Sequence, residues 1–213
     1  MSLYSKLIVI EGLEGAGKST IIHKLKEHIN TLPIQYRYLF TREPGGTFLA
    51  EKIRALTLES TENETLCDES ELLLMYASRM QHIHHLIIPA LNNKMIVVSD
   101  RFYLSTFAYQ GGGRQIGMDI IEGIHASLMK NVYPGLTIYL DLPPEIGLKR
   151  IQIRNNIDRI EAEKIEFFER ARDVYLTKIK QENNYHIIDA SKDITTVCNN
   201  VLDVVIKYIN SFS

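Results

Sequence analysis

Short apolar runs alternate with stretches of helical periodicity along this chain. Leu7-Ile8-Val9-Ile10 is β-branched and ends just before Glu11-Gly12, which predicts a buried parallel strand. From Lys18 to about Ile29, apolar Ile21, Ile22, Leu25 and Ile29 recur on one helical face. A second strand is expected at 36–41, broken by Glu43-Pro44-Gly45-Gly46. Helical periodicity returns at about 47–58 and runs again from 69 to about 91. The apolar runs 95–99 and 136–142 predict two more strands, with Asp100 and Asp141 as their acidic ends. A fifth strand at 185–188 precedes a closing helix that reaches about Ile209. The polar, Asn-rich stretch 151–159 lies between two helical patterns and is expected to be a mobile flap.

Strands alternating with helices, without a long linker or composition shift, predict one α/β domain over residues 1–213. It is a doubly wound parallel five-stranded sheet with helices on both faces. Ligands in such sheets bind beyond the carboxyl ends of the strands, where Glu11, Arg42, Asp100 and Asp141 fall. No internal repeat or low-complexity segment interrupts the pattern.

Composition narrows the reading without changing it. The 213 residues suit one sizeable core. The 24 Lys and Arg against 26 Asp and Glu argue against a nucleic-acid coat, yet leave room for a local cationic pocket. No apolar run reaches the ~18–20 residues of a membrane span, and no leader is recognisable at the N-terminus. The 2 cysteines, Cys67 and Cys198, are far apart and lack metal-ligand spacing, so a cytoplasmic, reducing location is expected. His82, His84 and His85 do not share one helical face; a solvated or partly interfacial helix surface is expected there rather than a metal site.

The chemistry begins at Gly12-Leu13-Glu14-Gly15-Ala16-Gly17-Lys18-Ser19, which matches G-x-x-x-x-G-K-[ST] between a predicted strand and a predicted helix. Its glycines allow a tight backbone that aims amides at phosphate oxygens, and the helix N-terminus favours an anion. Lys18 is expected to reach the outer phosphates of a nucleoside triphosphate, and the Ser19 hydroxyl to ligate Mg2+. The motif does not say what receives the phosphate.

Three further segments bear on that acceptor. Thr41-Arg42-Glu43-Pro44-Gly45-Gly46-Thr47 places an arginine at a strand end, either forked onto a phosphate or solvated on a surface turn. Asp100-Arg101-Phe102 pairs an acid for a Mg2+ shell with a cation for phosphate; an ordinary surface ion pair is the competing account. Ser105-Thr106-Phe107-Ala108-Tyr109-Gln110-Gly111-Gly112-Gly113-Arg114 brings aromatics and amides close by, suggesting a base and sugar pocket. Tyr109 and Gln110 could equally belong to core or loop, and the three glycines alone suggest a flexible loop.

Together, TREPGGT and DRFYLSTFAYQGGGR resemble the thymidylate kinase family, and the resemblance covers essentially the whole chain. It implies a P-loop nucleoside monophosphate kinase fold, transfer from ATP to dTMP with Mg2+ in dTTP biosynthesis, and a homodimer. The pattern is similar to the bacterial branch whose catalytic arginine lies in the lid, here at about 150–160, because Gly15 and Ala16 rather than arginine precede Gly17. On that resemblance Gly12, Leu13, Glu14, Gly15, Ala16, Gly17, Lys18, Ser19 and Thr20 hold ATP with Arg150 and Arg154. Lys18, Arg101 and Arg154 act on the transferring group. Arg42 and Arg101 hold the acceptor phosphate, Pro44 shapes its turn, and Glu14 contacts the sugar 3′-hydroxyl. Tyr109 leaves no room for a ribose 2′-hydroxyl, while Arg79, Thr106 and Gln110 read the thymine edge. Ser19 and Asp100 hold Mg2+, partly through water. Met75 departs from the family, which usually places phenylalanine there to stack on the base.

Two other readings compete with dTMP phosphorylation. A deoxynucleoside kinase would need a general base, for which Glu11 is the candidate. A P-loop NTPase switch would bind a partner instead of a nucleotide acceptor, but the guanine-reading N/T-K-x-D motif of a GTPase is missing.

Overall fold

A computed structural model describes residues 3–29, 36–59, 64–130, 132–153 and 158–212. In chain order these residues form β1 (Leu7–Gly12), α1 (Lys18–Ile29), β2 (Tyr38–Arg42), α2 (Phe48–Leu58) and α3 (Asp68–His82). A π-helical turn at Ile83–Ile87 then leads into α4 (Ile88–Asn92). β3 (Ile96–Asp100), α5 (Tyr103–Thr106), a π-helical stretch at Phe107–Gly113 and α6 (Met118–Met129) come next. The chain closes with β4 (Leu136–Asp141), α7 (Pro144–Gln152), α8 (Ile165–Lys178), β5 (Tyr185–Asp189) and α9 (Ile194–Asn210).

The five strands are parallel in the order β2-β3-β1-β4-β5, as the alternating pattern predicts. Alternation along β1 divides its side chains between two cores. Leu7 and Val9 pack with Tyr76 and Tyr175 on one face, while Ile8 and Ile10 pack with Ile21, Leu25 and Val201 on the other. Burial of Ile21, Leu25 and Ile29 holds α1 to the sheet, each side chain contributing roughly 1.5–3 kcal/mol. Thr47 caps α2 by accepting from the Ala50 amide, and Asp193 caps α9 by accepting from Thr196. The register aligns Arg42 and Ile10 with Asp100, so β2 and β3 end together while β1 runs two residues further, to Gly12.

Two regions depart from the expected pattern. The helix expected over 69–91 is interrupted by the π turn. Pro89 has no amide to donate and would crowd the carbonyl of His85; the wider turn, with Ile88 N–H donating to Ile83, relieves that conflict. The three glycines are not a flexible loop but lie in a buried π-helical segment against α8. A Cβ on Gly112 would stand 2.7 Å from the Arg170 carbonyl, so the close approach needs glycine. Arg170 donates to the carbonyls of Gly112 at 3.1 Å and Gly113 at 2.8 Å.

Candidate active site

One cavity of about 650 Å³ lies beyond the carboxyl ends of the central strands. It extends from the loop between β1 and α1 to α3 and the segment after α5, bringing together Gly15, Lys18, Arg42, Met75, Arg79 and Gln110. Arg150 also lines it, whereas Arg154 lies outside the described residues, as does part of the expected lid, 154–157.

At the phosphate-loop end, Gly12, Gly15 and Gly17 take φ of 152°, 73° and 88°, which glycine alone adopts readily. A Cβ on Gly15 would lie 2.5 Å from the Gly147 carbonyl, so the loop and the start of α7 meet backbone to backbone. α1 begins at Lys18, which puts the first-turn amides of Lys18, Ser19 and Thr20 at the loop. Lys18 Nζ donates to the carbonyls of Gly12 at 2.9 Å and Leu13 at 2.8 Å. Burial, then the neighbouring Arg101 charge, pushes its ammonium down to about 8. Arg150 Nη1 donates to the Gly15 carbonyl at 3.0 Å, bracing the loop from α7.

Ser19 Oγ lies 3.4 Å from Asp100 Oδ2, and the buried Asp100 Oδ1 has no hydrogen-bond partner. A hydroxyl beside an unpartnered carboxylate oxygen is a donor set that fits a hard cation such as Mg2+. Asp141 is turned to other work: both its oxygens accept from Arg172, at 2.7 and 2.8 Å.

Beside the loop, Arg101 occupies the left-handed region at φ 70°, a conformation costing on the order of 1–3 kcal/mol outside glycine. Its amide donates to Ile10 at 2.9 Å, and Ser99 Oγ donates to its carbonyl at 2.8 Å. Its guanidinium donates to Glu14 Oε1 at 2.6 Å, the Gly12 carbonyl at 2.9 Å and the hydroxyls of Ser105 and Tyr175 at 3.3 Å. Burial opposes its charge, but Tyr109 and Glu14 outweigh that and hold it firmly cationic. Tyr109 donates to Glu14 Oε2 at 2.5 Å; burial, with the Glu14 carboxylate beside it, pushes the phenol well up. Glu14, Arg101 and Tyr109, singled out separately in the sequence, thus form one cluster.

Arg42 is half-exposed and pairs with Glu51 at 2.9 Å while facing the cavity. Pro44 follows a cis peptide bond, and its carbonyl accepts from Arg54 at 3.0 Å. Arg79 donates to Glu43 Oε2 at 2.7 Å, Thr106 Oγ1 at 3.0 Å and the Phe102 carbonyl at 3.2 Å. Burial pushes the Glu43 carboxyl up, but Arg79 and His82 outweigh it and hold it below its ordinary value. His82 is not on a solvated face: it is fully buried between Glu43, 2.9 Å away, and Thr41 Oγ1, 2.7 Å away. His84 and His85 are exposed as expected.

Several cavity residues escaped the sequence reading. Arg54 stands on α2 beside Arg42, and Ala190, Lys192, Ile194 and Val197 close the end near α9. Asp189, at the end of β5, was a usable signal for the latter group, since it marks another strand end on the same edge. Arg54 had none, because an arginine within a helix acquires meaning only from what lies opposite. Glu11 accepts from the Phe102 amide at 2.8 Å, Ser105 at 2.7 Å and Tyr175 at 2.9 Å; it is fully buried and does not line the cavity. Burial pushes its carboxyl up despite these donors.

A parallel sheet with a phosphate loop after its central strand and a cationic pocket beside that loop is the arrangement of a P-loop enzyme, and the relatives of this chain make it an ATP-dependent nucleoside monophosphate kinase. A family model for thymidylate kinase matches residues 10–201, and the chain belongs to the thymidylate kinase family. It is 45% identical over 208 residues to the thymidylate kinase of Legionella pneumophila (strain Corby), covering 98% of this chain and 97% of that one. The Francisella philomiragia thymidylate kinase is 44% identical over 204 residues, covering 96% and 99%. The crystal structure of the Ehrlichia chaffeensis thymidylate kinase superimposes with a TM-score of 0.73 at 32% identity, covering 93% of this chain and 97% of that one.

Proposed function

We propose that the cavity aligns ATP and dTMP for direct transfer of the γ-phosphoryl group, yielding ADP and dTDP for dTTP synthesis. The observation that carries this reading is the continuity of the cavity from the phosphate loop, past Lys18 and Arg101, to Met75, Arg79 and Gln110. A monophosphate oxygen is already a nucleophile at neutral pH, so alignment and charge stabilisation matter more than proton removal. Lys18 and the loop amides hold the triphosphate. Arg42 and Arg101 hold the acceptor phosphate, and Glu14 holds both Arg101 and the sugar hydroxyl. Tyr109 closes the sugar pocket, Arg79, Thr106 and Gln110 read the base, and Arg150 with Arg154 completes the cationic shell. Ser19 and Asp100 would hold Mg2+, which neutralises phosphate charge when bound.

The deoxynucleoside kinase reading is weaker because Glu11, its candidate base, is spent on three donors away from the cavity. A homodimer belongs to the proposal, supported by the exposed apolar side chains Leu49 and Leu56 on α2, Leu73 on α3 and Ile120 on α6. So does a cytoplasmic location, supported by the free thiols of Cys67 and Cys198; among the described residues no helix is long and apolar enough to cross a membrane. A coupled ADP-release assay across a panel of nucleoside monophosphates tests the activity. dTMP should give the highest kcat/KM, and ATP alone should turn over slowly. Fast hydrolysis without an acceptor would point to an NTPase switch instead.

A further inference from the structure

Glu71, on α3, is a fully buried carboxylate whose partners converge from two parts of the chain, the segment ending at Arg114 and the stretch around Arg159. Its Oε1 accepts from Gln110 Nε2 at 2.6 Å. Its Oε2 accepts from Arg114 Nε at 3.3 Å and from Arg159 Nη2. Arg159 also donates to the Thr57 carbonyl at 3.0 Å, so the end of the expected lid is tied to α2 and α3 through the same contact. Two guanidinium groups facing one enclosed carboxylate supply the pairing that a buried charge requires.

That arrangement dictates the orientation of a side chain in the base pocket. A carboxylate accepts hydrogen bonds and does not donate them, so the Gln110 amide must turn its nitrogen towards Glu71. Gln110 lines the cavity with Met75, Arg79 and Thr106, and its Oε1 is therefore the end offered to a ligand there. An acceptor oxygen suits a pyrimidine with N–H at ring position 3, as in thymine and uracil. It opposes the bare ring nitrogen that cytosine presents at the same place.

We propose that Glu71 is a positioning residue for base choice: it locks the Gln110 amide as an acceptor and so excludes cytosine nucleotides. The proposal rests on the dTMP reading of the cavity, and deepens it by assigning selectivity to a residue that does not itself touch the base. Glu71→Gln keeps the shape but offers both a donor and an acceptor, which frees the Gln110 amide to turn.

The test compares dissociation constants for dTMP and dCMP, with steady-state kinetics on dTMP, in the wild type, Glu71→Gln, Gln110→Met and the double variant. In Glu71→Gln the ratio of dCMP to dTMP dissociation constants should fall at least tenfold, while kcat on dTMP stays within threefold. With Gln110→Met already present, adding Glu71→Gln should leave the ratio where it is. An unchanged ratio in folded Glu71→Gln overturns the proposal, as does a further fall in the double variant. Should Glu71→Gln not fold, the wild type decides. The NMR signals of the 15N-labelled Gln110 side-chain amide should hold their carboxylate-bonded position when dTMP is added, and a large displacement overturns the proposal. Failure of wild-type protein to prefer dTMP over the other monophosphates would instead sink the underlying activity, whatever Glu71 does.

Discussion

Lys18 holds its charge against its surroundings: its ammonium is enclosed, lies near Arg101 and rests on two loop carbonyls. Bound phosphates would replace those carbonyls with full negative charge and return the amine towards its ordinary value near 10.4. Near pH 8, ATP binding should therefore be accompanied by proton uptake. Calorimetry in buffers of differing ionisation enthalpy measures this, and Lys18→Met should abolish it. The same depression has a stability consequence. The unfolded chain binds more protons than the folded one between pH 8 and about 10.4, so this group's contribution makes the ligand-free protein more stable as pH rises through that window. Met75 makes a different prediction. Its flexible thioether lines the cavity where the family usually places phenylalanine, so the proposed base contact should be looser than a ring would give. Met75→Phe should raise the dTMP over dUMP ratio of specificity constants by a fewfold, and an unaltered ratio would remove Met75 from base discrimination.

Strands and the phosphate loop were legible because their signals are local: β-branched runs, and glycines at positions that need positive φ. The π-helical stretches were not, since neither is encoded by a period that a short window can recognise. One answers to a single proline, the other to α8 pressing on Gly112 and Gly113 from more than fifty residues away. Site residues divide in the same way. Arg42 and Arg101 could be found from their places at strand ends and Glu14 from the family resemblance, whereas Glu71 and Tyr175 sit on ordinary amphipathic helices and gain their roles only from partners across the fold. His82 was misread for that reason, its burial being set by Glu43 and Thr41 rather than by its own helix. Packing at the glycine stretch predicts that Gly112→Ala forces α8 outward and costs about 1–3 kcal/mol, read as a lowered denaturation midpoint. A midpoint equal to wild type would mean that α8 can yield without loss.

Across the whole molecule, a formal charge of -2 averages over a surface that is far from uniform. Lys18, Arg42, Arg54, Arg79, Arg101, Arg150 and Lys192 line one cavity at the carboxyl end of the sheet against Glu14, Glu43, Asp100, Asp158 and Glu161, a local concentration of charge with cations in excess. That concentration favours capture of anionic nucleotides, and their association rate should fall as salt screens it. The exposed leucines of α2 and α3 lie on neighbouring helices, and light scattering should give twice the mass of one chain; a monomer mass at micromolar concentration would contradict the dimer. Gly15 and Gly147 meet backbone to backbone. No side chain cushions that contact, so movement at the loop should be passed along α7 towards Gln152 instead of being absorbed. Since the chain contains no tryptophan, an indole substituted at Ile153, 82% exposed just beyond that helix, would turn that mechanical link into a fluorescent gauge on a dark background.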